Sequence, residues 1–483
     1  MGGGGAGLAA AIEARAAGAE VLLLEKNASP GGSTAWSIGS ITATGTPHQA
    51  RRGIVDRTED HWVDMAAFNG NLDARDNPVL RRILADEMPE TFRWLLARGI
   101  RFYGPMPEPP HRQPRMHNVL PNSRSYIVHL ARAARDAGVT IATHARAGEL
   151  MFAQGCVIGV ACDTRAGSRR YSAPSVILAA GDFTSDSELK SRFMGLHEAR
   201  IDGVNKTATG DGQKLALPLG ARIVNGDLAR GPELRFVPPQ RPNLLLNLPP
   251  WRGVAALMAW SLDHMPAAIL RPFLMSFVTT ALAPSPELFS AGAILVNRDG
   301  ARFADELDKP AYEVAEQPGK IAYILLDSRV ARQFSAWPHF ISTAPGVAYA
   351  YIGDYRRNRR DVFAAAASLE ELAGKLSIER RALKETVAAY NAKAGNRPVF
   401  GDGPYVAIGP VRAYFVHNEG GLAVDTQHRV LDGADAPIPG LYAAGSTGQG
   451  GLLLKGHGHH LGWAFTSGRR AGRFAAQSAR KQA

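Results

Sequence analysis

The chain has 483 residues, of which 45% are hydrophobic and 20% charged, and its net charge is +11 at pH 7. This size and composition exclude a disordered or fibrous protein and indicate two or three globular domains. Two cysteines exclude a disulfide framework and favour a reducing, cytoplasmic location. The positive charge lacks an aromatic–basic recognition motif, so we expect no nucleic-acid partner. An anionic substrate or a membrane surface is as compatible with this charge.

A glycine-rich loop opens the chain and fits the dinucleotide-binding pattern G-x-G-x-x-G with Gly2, Gly4 and Gly7. Glycines let the backbone lie against a pyrophosphate, which then faces the N-terminus of the next helix. A helix is predicted over 8–17 and a buried strand over 20–24. The alternative is a flexible glycine tail before an ordinary helix. That alternative does not account for the acidic residue that ends the strand.

That acidic residue is Glu25, which lies 18 residues after Gly7 and is followed by Lys26. A carboxylate at this place accepts hydrogen bonds from a ribose 2′-OH. The pattern also requires a strand in front of the loop, and none precedes Gly2 in this sequence. We therefore expect an upstream extension of the chain to restore an apolar strand of roughly five residues.

The predicted elements then alternate between helices and strands. Apolar residues recur at helical spacing through 59–98, and an amphipathic helix is predicted over 125–137. A proline-rich linker is predicted between them, over 104–121. Further strands are predicted at 139–143, 148–153, 156–162 and 176–180, the last running into Gly181.

The character of the chain changes near residue 227. Prolines cluster at 238–250, and the most apolar stretch spans 253–289. Dinucleotide-type signals resume at Gly420 and end in a helix predicted over 462–473. We predict a cofactor domain interrupted by an inserted domain, with the ligand at their seam. The predicted boundaries are 1–226, 227–417 and 418–483.

Six motifs in this order resemble one family of flavoproteins. They are G-G-G-G-A-G, L-L-L-E-K, P-G-G-S-T, L-A-A-G, T-G-D-G and G-L-Y-A-A-G. The chain is similar to the fumarate reductase and succinate dehydrogenase flavoprotein family, nearer its 3-ketosteroid Δ1-dehydrogenase-like members. The resemblance implies an α/β fold: a Rossmann-like FAD-binding domain, here lacking its first strand, interrupted by an α+β capping domain. It also implies hydride exchange between a substrate C–C bond and flavin N5, with a side chain handling the proton.

The resemblance also implies which residues bind FAD. Covalent members attach the flavin through a His after P-G-G, where this chain has Ser33 and Thr34, so we expect noncovalent FAD. The predicted cofactor-binding residues are Gly2, Gly4, Gly5, Ala6, Gly7, Glu25, Lys26, Gly32, Ser33, Thr34, Gly39, Ala147, Gly181, Asp211, His417, Gly445, Ser446, His460 and Leu461.

The sequence departs from the dicarboxylate enzymes of the family at the substrate side. Val416 stands at the position of their substrate-binding His, and Pro310 at that of their catalytic Arg. Two desolvated carboxylates need paired cations, so fumarate reductase activity is not our first expectation. The steroid enzymes place a Tyr near the second position, and Tyr312 lies two residues later. Tyr312 is a candidate base, or alternatively a tyrosine on the cap surface.

A lysine and three histidines near the C-terminus form the other candidate set. Lys455 matches a substrate-binding Arg of the dicarboxylate enzymes, and His457, His459 and His460 follow it. A glycine-rich loop without a carboxylate is poor metal geometry, so we expect no metal. One interpretation is that the loop binds an anionic or carbonyl oxygen of the substrate or stabilises the charge at flavin N1. The alternative is a purely structural loop. The histidines could also move protons.

The sequence thus predicts an FAD-dependent oxidoreductase that acts on a CH–CH bond next to a carbonyl or carboxyl group. The predicted catalytic residues are Tyr312, Lys455, His457 and His459. The apolar stretch 253–289 favours a bulky hydrophobic small-molecule substrate and a peripheral membrane contact; the electron donor or acceptor is not specified by the sequence. The alternatives are a truncated or degenerate flavoprotein without turnover and a fumarate reductase-like dicarboxylate enzyme.

Overall fold

The computed structural model describes residues 1–239, 247–344 and 348–482. Part of the predicted proline cluster at 238–250 therefore lies outside the described residues. The helices within this part are α1 (Gly5–Ala16), α2 (Gly32–Trp36), α3 (Pro47–Arg51), α4 (Thr58–Asn69), α5 (Pro78–Ala97), α6 (Arg124–Asp136), α7 (Ser187–Phe193), α8 (Leu196–Ala199), α9 (Asp211–Ala216), α10 (Arg252–His264), α11 (Ala267–Ala281), α12 (Glu287–Ser290), α13 (Pro310–Val314), α14 (Ser328–Gln333), α15 (Ile352–Asn358), α16 (Leu369–Leu376), α17 (Ala382–Ala392) and α18 (His459–Gln482).

The strands fall into several small sheets and one larger one. They are β1 (Leu22–Leu24), β2 (Ser40–Thr42), β3 (Arg101–Met106), β4 (Met116–Leu120), β5 (Thr140–Ala142), β6 (Arg146–Ala153), β7 (Cys156–Thr164), β8 (Gly167–Ser172), β9 (Val176–Leu178), β10 (Asp202–Gly203), β11 (Ile223–Val224), β12 (Ala229–Arg230), β13 (Glu233–Phe236), β14 (Ile294–Val296), β15 (Ala322–Leu326), β16 (Ser342–Ala344), β17 (Ala348–Ala350), β18 (Phe363–Ala366), β19 (Tyr405–Phe415), β20 (His417–Asn418), β21 (Gly421–Leu422), β22 (Arg429–Leu431) and β23 (Pro437–Ala443).

Met1 and Gly2 join two parallel strand pairs, β1–β5 and β9–β23. Gly2 N donates to Leu24 O over 2.8 Å on one side. On the other side Met1 N donates to Ile177 O, and Ala179 N donates to Met1 O, each over 2.8 Å. The chain then turns directly into α1. The glycine loop consequently lies at the carboxyl ends of β1 and β9, where open α/β sheets bind their ligands.

Glycines allow the close packing around this loop. A Cβ on Gly7 would lie 1.8 Å from Gly2 O, so the turn admits only glycine. Helix α18 packs along α1 with similarly small clearances. A Cβ on Gly468 would lie 2.3 Å from Ala6 O, and one on Gly472 would lie 2.2 Å from Ala10 O. The alanine-rich sequence of α1 is therefore explained by a helix–helix contact as well as by contact with the sheet.

The inserted segment is built on β19. Strands β13, β15 and β18 pair with it in antiparallel fashion, and β14 extends the sheet beyond β15. Strand β10 also pairs with β19, in parallel, so residues before the predicted boundary at 226 contribute to this sheet. One apolar cluster includes α1, α5, α6 and α18, and a second surrounds β19. The three predicted domain ranges stay a prediction.

Several predicted elements differ from the observed ones. The predicted linker at 104–121 contains β4 and the end of β3, because its prolines lie at turns and strand ends. The terminal helix begins at His459, three residues before its predicted start, since the loop glycines end at Gly458. Among the described helices, none has both the length and the hydropathy that crossing a bilayer requires.

Candidate functional site

The first cavity lies at the N-terminus of α1 and holds about 890 Å³ of space, its open mouth included. Its lining includes Glu25 at the end of β1, the glycine loop, and Gly445 and Ser446 after β23. Most of the predicted cofactor-binding residues line it, namely Gly2, Gly4, Gly5, Ala6, Glu25, Lys26, Gly32, Ser33, Thr34, Ala147, Gly181, Asp211, Gly445 and Ser446.

Hydrogen bonds hold the polar groups at one end of this cavity. Glu25 accepts from Gly3 N over 2.6 Å and from Asn27 N over 2.8 Å, which fixes its carboxylate at the end of β1. Lys26 Nζ forms an ion pair with Asp211 Oδ2 over 2.9 Å. The acidic end of the glycine-loop motif and the T-G-D-G motif therefore meet, although 185 residues separate Lys26 from Asp211.

Asn205 and Asp182 are two of the lining residues that were not predicted from the sequence. Asn205 Nδ2 donates to Ser33 Oγ over 2.9 Å and so links α2 to the segment before α9. Asp182 follows the L-A-A-G motif directly, and its Oδ1 accepts from Thr184 N and Oγ1 over 3.0 and 2.8 Å. Burial raises the pKa of Asp182. The position of Asp182 directly after the motif glycine could have identified it from the sequence. No sequence motif distinguishes Asn205.

The other predicted cofactor residues lie outside the lining of this cavity. Gly7 closes the turn at the start of α1, and Leu461 packs in the apolar core. Gly39 accepts hydrogen bonds from Tyr126 Oη over 2.9 Å and Val119 N over 3.1 Å. Its role, like that of the remaining two residues, His417 and His460, stays a prediction.

His417, His460 and Glu419 form a compact cluster. The two rings are 3.8 Å apart, and each Nε2 lies 3.5 Å from Glu419 Oε1. Burial, assisted by His460, lowers the pKa of His417 to about 4. Burial opposes ionisation of Glu419, but the two histidines hold its pKa well below the usual range. We call these three residues the Glu419 cluster.

The Glu419 cluster interacts with one lining residue of the first cavity and one of a second cavity. His460 interacts electrostatically with Asp182, which lines the first cavity. His417 pairs with Arg230 across strands β12 and β20, and Arg230 lines the second cavity.

The second cavity holds about 1370 Å³, its open mouth included, and lies where the cofactor-binding segments meet the inserted segment. Its walls are mainly apolar, with Ile38, Met116, Leu274, Leu282, Pro284, Pro286 and Phe340 among them. Its charged side chains are Arg230, Glu233, Arg235 and His457. Arg235 Nε donates to Glu233 Oε1 over 2.7 Å, and Arg230 Nε lies 3.9 Å from Glu233 Oε2. Among the described lining residues, two guanidinium groups thus share one carboxylate, an excess of one positive charge over these three side chains. His457 is not counted, because a positive charge on its ring faces Glu108.

His457 is the predicted catalytic residue that lines the second cavity. Its Nδ1 lies 2.5 Å from Glu108 Oε1, and its backbone N donates to the same oxygen over 2.9 Å. Glu108 is buried; burial acts to raise its pKa, but the hydrogen bonds from His457 keep that pKa below its ordinary value. Because Glu108 engages Nδ1, Nε2 is the ring nitrogen left for other partners.

The structure does not bring the other predicted catalytic residues to this cavity. Among the described lining residues, Lys455, His459 and Tyr312 are absent. The Tyr312 ring packs 5.2 Å from the ring of His197, and burial, together with Glu198, raises its pKa. His459 is buried, and its Nδ1 lies 2.5 Å from Lys455 O.

Comparisons with known proteins agree with the motifs. The FAD binding domain family matches residues 1–247 and 251–453. The chain is 26% identical to a probable fumarate reductase, Ifc3, of Shewanella frigidimarina (strain NCIMB 400), over 100% of this chain and 74% of the relative. Its fold is similar to the open conformation of a flavocytochrome c3 fumarate reductase, with TM-score 0.73, 25% identity and coverage of 99% and 77%.

A similar fold occurs in a 3-ketosteroid Δ1-dehydrogenase from Sterolibacterium denitrificans. The TM-score is 0.65, the identity is 18%, and 99% of this chain and 98% of the other are covered. The predicted family resemblance and the predicted fold class are confirmed.

Proposed function

Since the chain belongs to the FAD binding domain family and is an FAD-dependent oxidoreductase acting on carbon–carbon bonds, we propose that it reduces a double bond conjugated to one carboxylate of a largely apolar substrate. The observation that carries this proposal is the second cavity. It combines apolar walls with a single net positive charge.

The first cavity fits the cofactor. Its lining includes the carboxylate of Glu25 and the N-terminus of the 12-residue helix α1, which favours a bound anion. A side chain at Gly4 would project into it, because a Cβ there would come no closer than 3.9 Å to protein atoms. We propose that Gly2, Gly4, Gly5 and Ala6 hold the pyrophosphate and Glu25 the ribose. Bound FAD supplies hydride exchange with the substrate carbon.

We propose that Arg230 and Arg235 bind the substrate carboxylate. A guanidinium matches a carboxylate in shape and donates two hydrogen bonds to it. A dicarboxylate would bring two charges to a cavity with one net positive charge, and desolvated charges that lack partners are costly. The charge balance therefore favours a monocarboxylate over fumarate. The apolar walls favour an aromatic or bulky aliphatic group on the other side of the double bond.

We propose that His457 Nε2 donates the proton to the substrate carbon. Its Nδ1 faces Glu108, so the ring is held in one orientation and its positive form is stabilised. Its placement in the cavity favours His457 over Tyr312, which packs beside His197. Glu108 acts through His457 and is a positioning residue.

The test is anaerobic reoxidation of the chemically reduced flavin by cinnamate, fumarate and a 4-ene-3-ketosteroid. We expect cinnamate to be reduced fastest. Faster reduction of fumarate would contradict the argument that the charge of the cavity favours a monocarboxylate. Faster reduction of the ketosteroid would mean that the cavity recognises a ketone and not a carboxylate. If every compound leaves the flavin reduced, the proposal is wrong.

Two variants separate binding from chemistry. Arg235→Gln should raise KM for cinnamate, whereas His457→Gln should lower kcat by about 10²- to 10⁴-fold, the usual contribution of a general acid. Arg356→Gln, at an exposed position on α15, is the matched control and should change neither value. Acid precipitation should release the flavin into the supernatant, as expected for noncovalent FAD.

A further inference from the structure

Three buried histidines from distant parts of the chain meet beside the loop that carries His457. His61 lies on α4, His111 in the turn between β3 and β4, and His459 at the start of α18. Their ring centroids are 5.3 to 5.5 Å apart, and one nitrogen from each ring lies within 4.8 Å of the others. We call these residues the histidine triad.

The hydrogen bonds of the triad leave ring nitrogens directed at one another. His459 Nδ1 is engaged by Lys455 O over 2.5 Å, so this nitrogen carries the hydrogen and Nε2 keeps a lone pair. His459 Nε2 lies only 3.3 Å from His61 Nε2. His111 Nε2 is buried and has no hydrogen-bond partner within the described part of the chain. An unpaired buried nitrogen costs about 1–3 kcal/mol, a cost that a bound ligand would remove.

The charges around the triad tolerate a cation. Arg115 Nη1 donates to His111 Nδ1 over 3.0 Å, and the same guanidinium forms ion pairs with Asp56 and Asp64 over 2.7 and 2.5 Å. Its positive charge is therefore already balanced by two carboxylates. Asp64 Oδ2 lies 4.0 Å from His111 Nδ1. An ion on His111 Nε2 would require the ring hydrogen to move to Nδ1, and Asp64 would then accept it in place of the bond from Arg115.

We propose that His61, His111 and His459 bind a divalent transition-metal ion, with Zn²⁺ as the first candidate. Imidazole suits zinc, and three histidines with one remaining position are an established zinc ligand set. The separation of 3.3 Å between His61 Nε2 and His459 Nε2 is close to the spacing of about 3.3 Å between neighbouring ligands of a tetrahedral zinc ion. Such an ion would fasten the start of α18 to α4 and so fix the loop that holds Lys455 and His457.

This site is distinct from the Glu419 cluster, whose residues could also approach a metal. There Glu419 Oε2 already accepts from Gln449 Nε2 and from Leu454 N, and its other oxygen pairs with both histidines. The carboxylate thus has partners without an ion. The triad contains no carboxylate, and two of its buried nitrogens, His61 Nδ1 and His111 Nε2, have no hydrogen-bond partner within the described residues.

The test measures metal content in the FAD-loaded protein. After dialysis against Zn²⁺ and then zinc-free buffer, elemental analysis should find about one zinc per chain. X-ray absorption at the zinc edge should show scattering from about three imidazoles and no sulfur. The variants His61→Asn and His111→Asn should lose the zinc. His264→Asn, at an exposed histidine of α10, and His417→Asn, in the Glu419 cluster, should keep it.

Absence of zinc from the wild-type protein would overturn the proposal, as would an absorption spectrum without imidazole scattering. Loss of zinc in His417→Asn with retention in His61→Asn would move the site to the Glu419 cluster. If the triad variants do not fold, the wild-type stoichiometry and spectrum still decide the question. The result does not depend on the substrate proposed above, because no readout uses turnover.

Discussion

Gly4→Ala tests whether FAD lies against the glycine loop. Gly4 has φ −78° and ψ −175°, an extended conformation that alanine adopts without strain. A Cβ there would lie 3.9 Å from Gly31 O and 4.0 Å from Thr34 Oγ1, which is ordinary van der Waals contact. The free energy of unfolding of the protein without FAD should therefore change by less than about 0.5 kcal/mol.

The same methyl group projects into the first cavity. If the pyrophosphate occupies that space, the overlap should cost about 1–3 kcal/mol, as overpacking does elsewhere. That cost corresponds to a rise of roughly 5- to 150-fold in the Kd for FAD. The assay is titration of the deflavinated protein with FAD, followed by flavin fluorescence, together with urea unfolding of the FAD-free protein.

Gly374→Ala is the matched control, because a Cβ at Gly374 on α16 meets nothing within 4 Å. It should bind FAD like the wild-type protein. If Gly4→Ala also binds FAD with unchanged affinity, the cofactor does not lie against Gly4 and the assignment of the first cavity fails. If the FAD-free variant is strongly destabilised, the reasoning from Cβ distances is refuted.

Two further predictions concern other parts of the molecule. Burial lowers the pKa of Lys190 to about 8, so between pH 8 and 10 the unfolded chain binds more protons than the folded one, and the free energy of unfolding should rise by about 2 kcal/mol. In urea unfolding at several pH values, Lys190→Met should lack this rise of the free energy of unfolding. If the variant shows the same pH dependence as the wild-type protein, the prediction is wrong. Trp251, just before α10, is 69% exposed, and Trp260, on α10, is 54% exposed; Arg252 lies next to Trp251. We therefore expect the protein to sediment with phosphatidylglycerol vesicles, and the Trp251→Ser/Trp260→Ser variant to lose this binding. Equal binding to uncharged phosphatidylcholine vesicles would refute a contribution of electrostatic attraction to anionic lipids.

The cofactor side of the fold could be predicted because its signals are local. The glycine loop, the strand ending in Glu25 and the L-A-A-G motif each combine a turn with a neighbouring element. Their order along the chain then implied that they meet at one edge of the sheets. The structure places Glu25, Gly181 and Ser446 around the same cavity accordingly.

The substrate side could not be predicted to the same depth because its contacts are long-range. His457 was identified as a candidate, but its partner Glu108 lies 349 residues away in the sequence. Arg230 and Arg235 are two of 55 basic residues, and no motif distinguishes them. Their significance depends on sharing Glu233 at the edge of an apolar cavity. Burial and charge balance of this kind arise from packing and not from spacing in the chain.

The histidines at 457–460 show the same limit within a single segment. In the sequence they suggest one site, yet the structure directs them to three places. His457 faces the second cavity, His459 joins the histidine triad, and His460 joins the Glu419 cluster. The cause is the start of α18 at His459, because successive helical residues project about 100° apart. Substitutions of these histidines should therefore differ in their direct effect: turnover for His457, metal content for His459 and the flavin environment for His460.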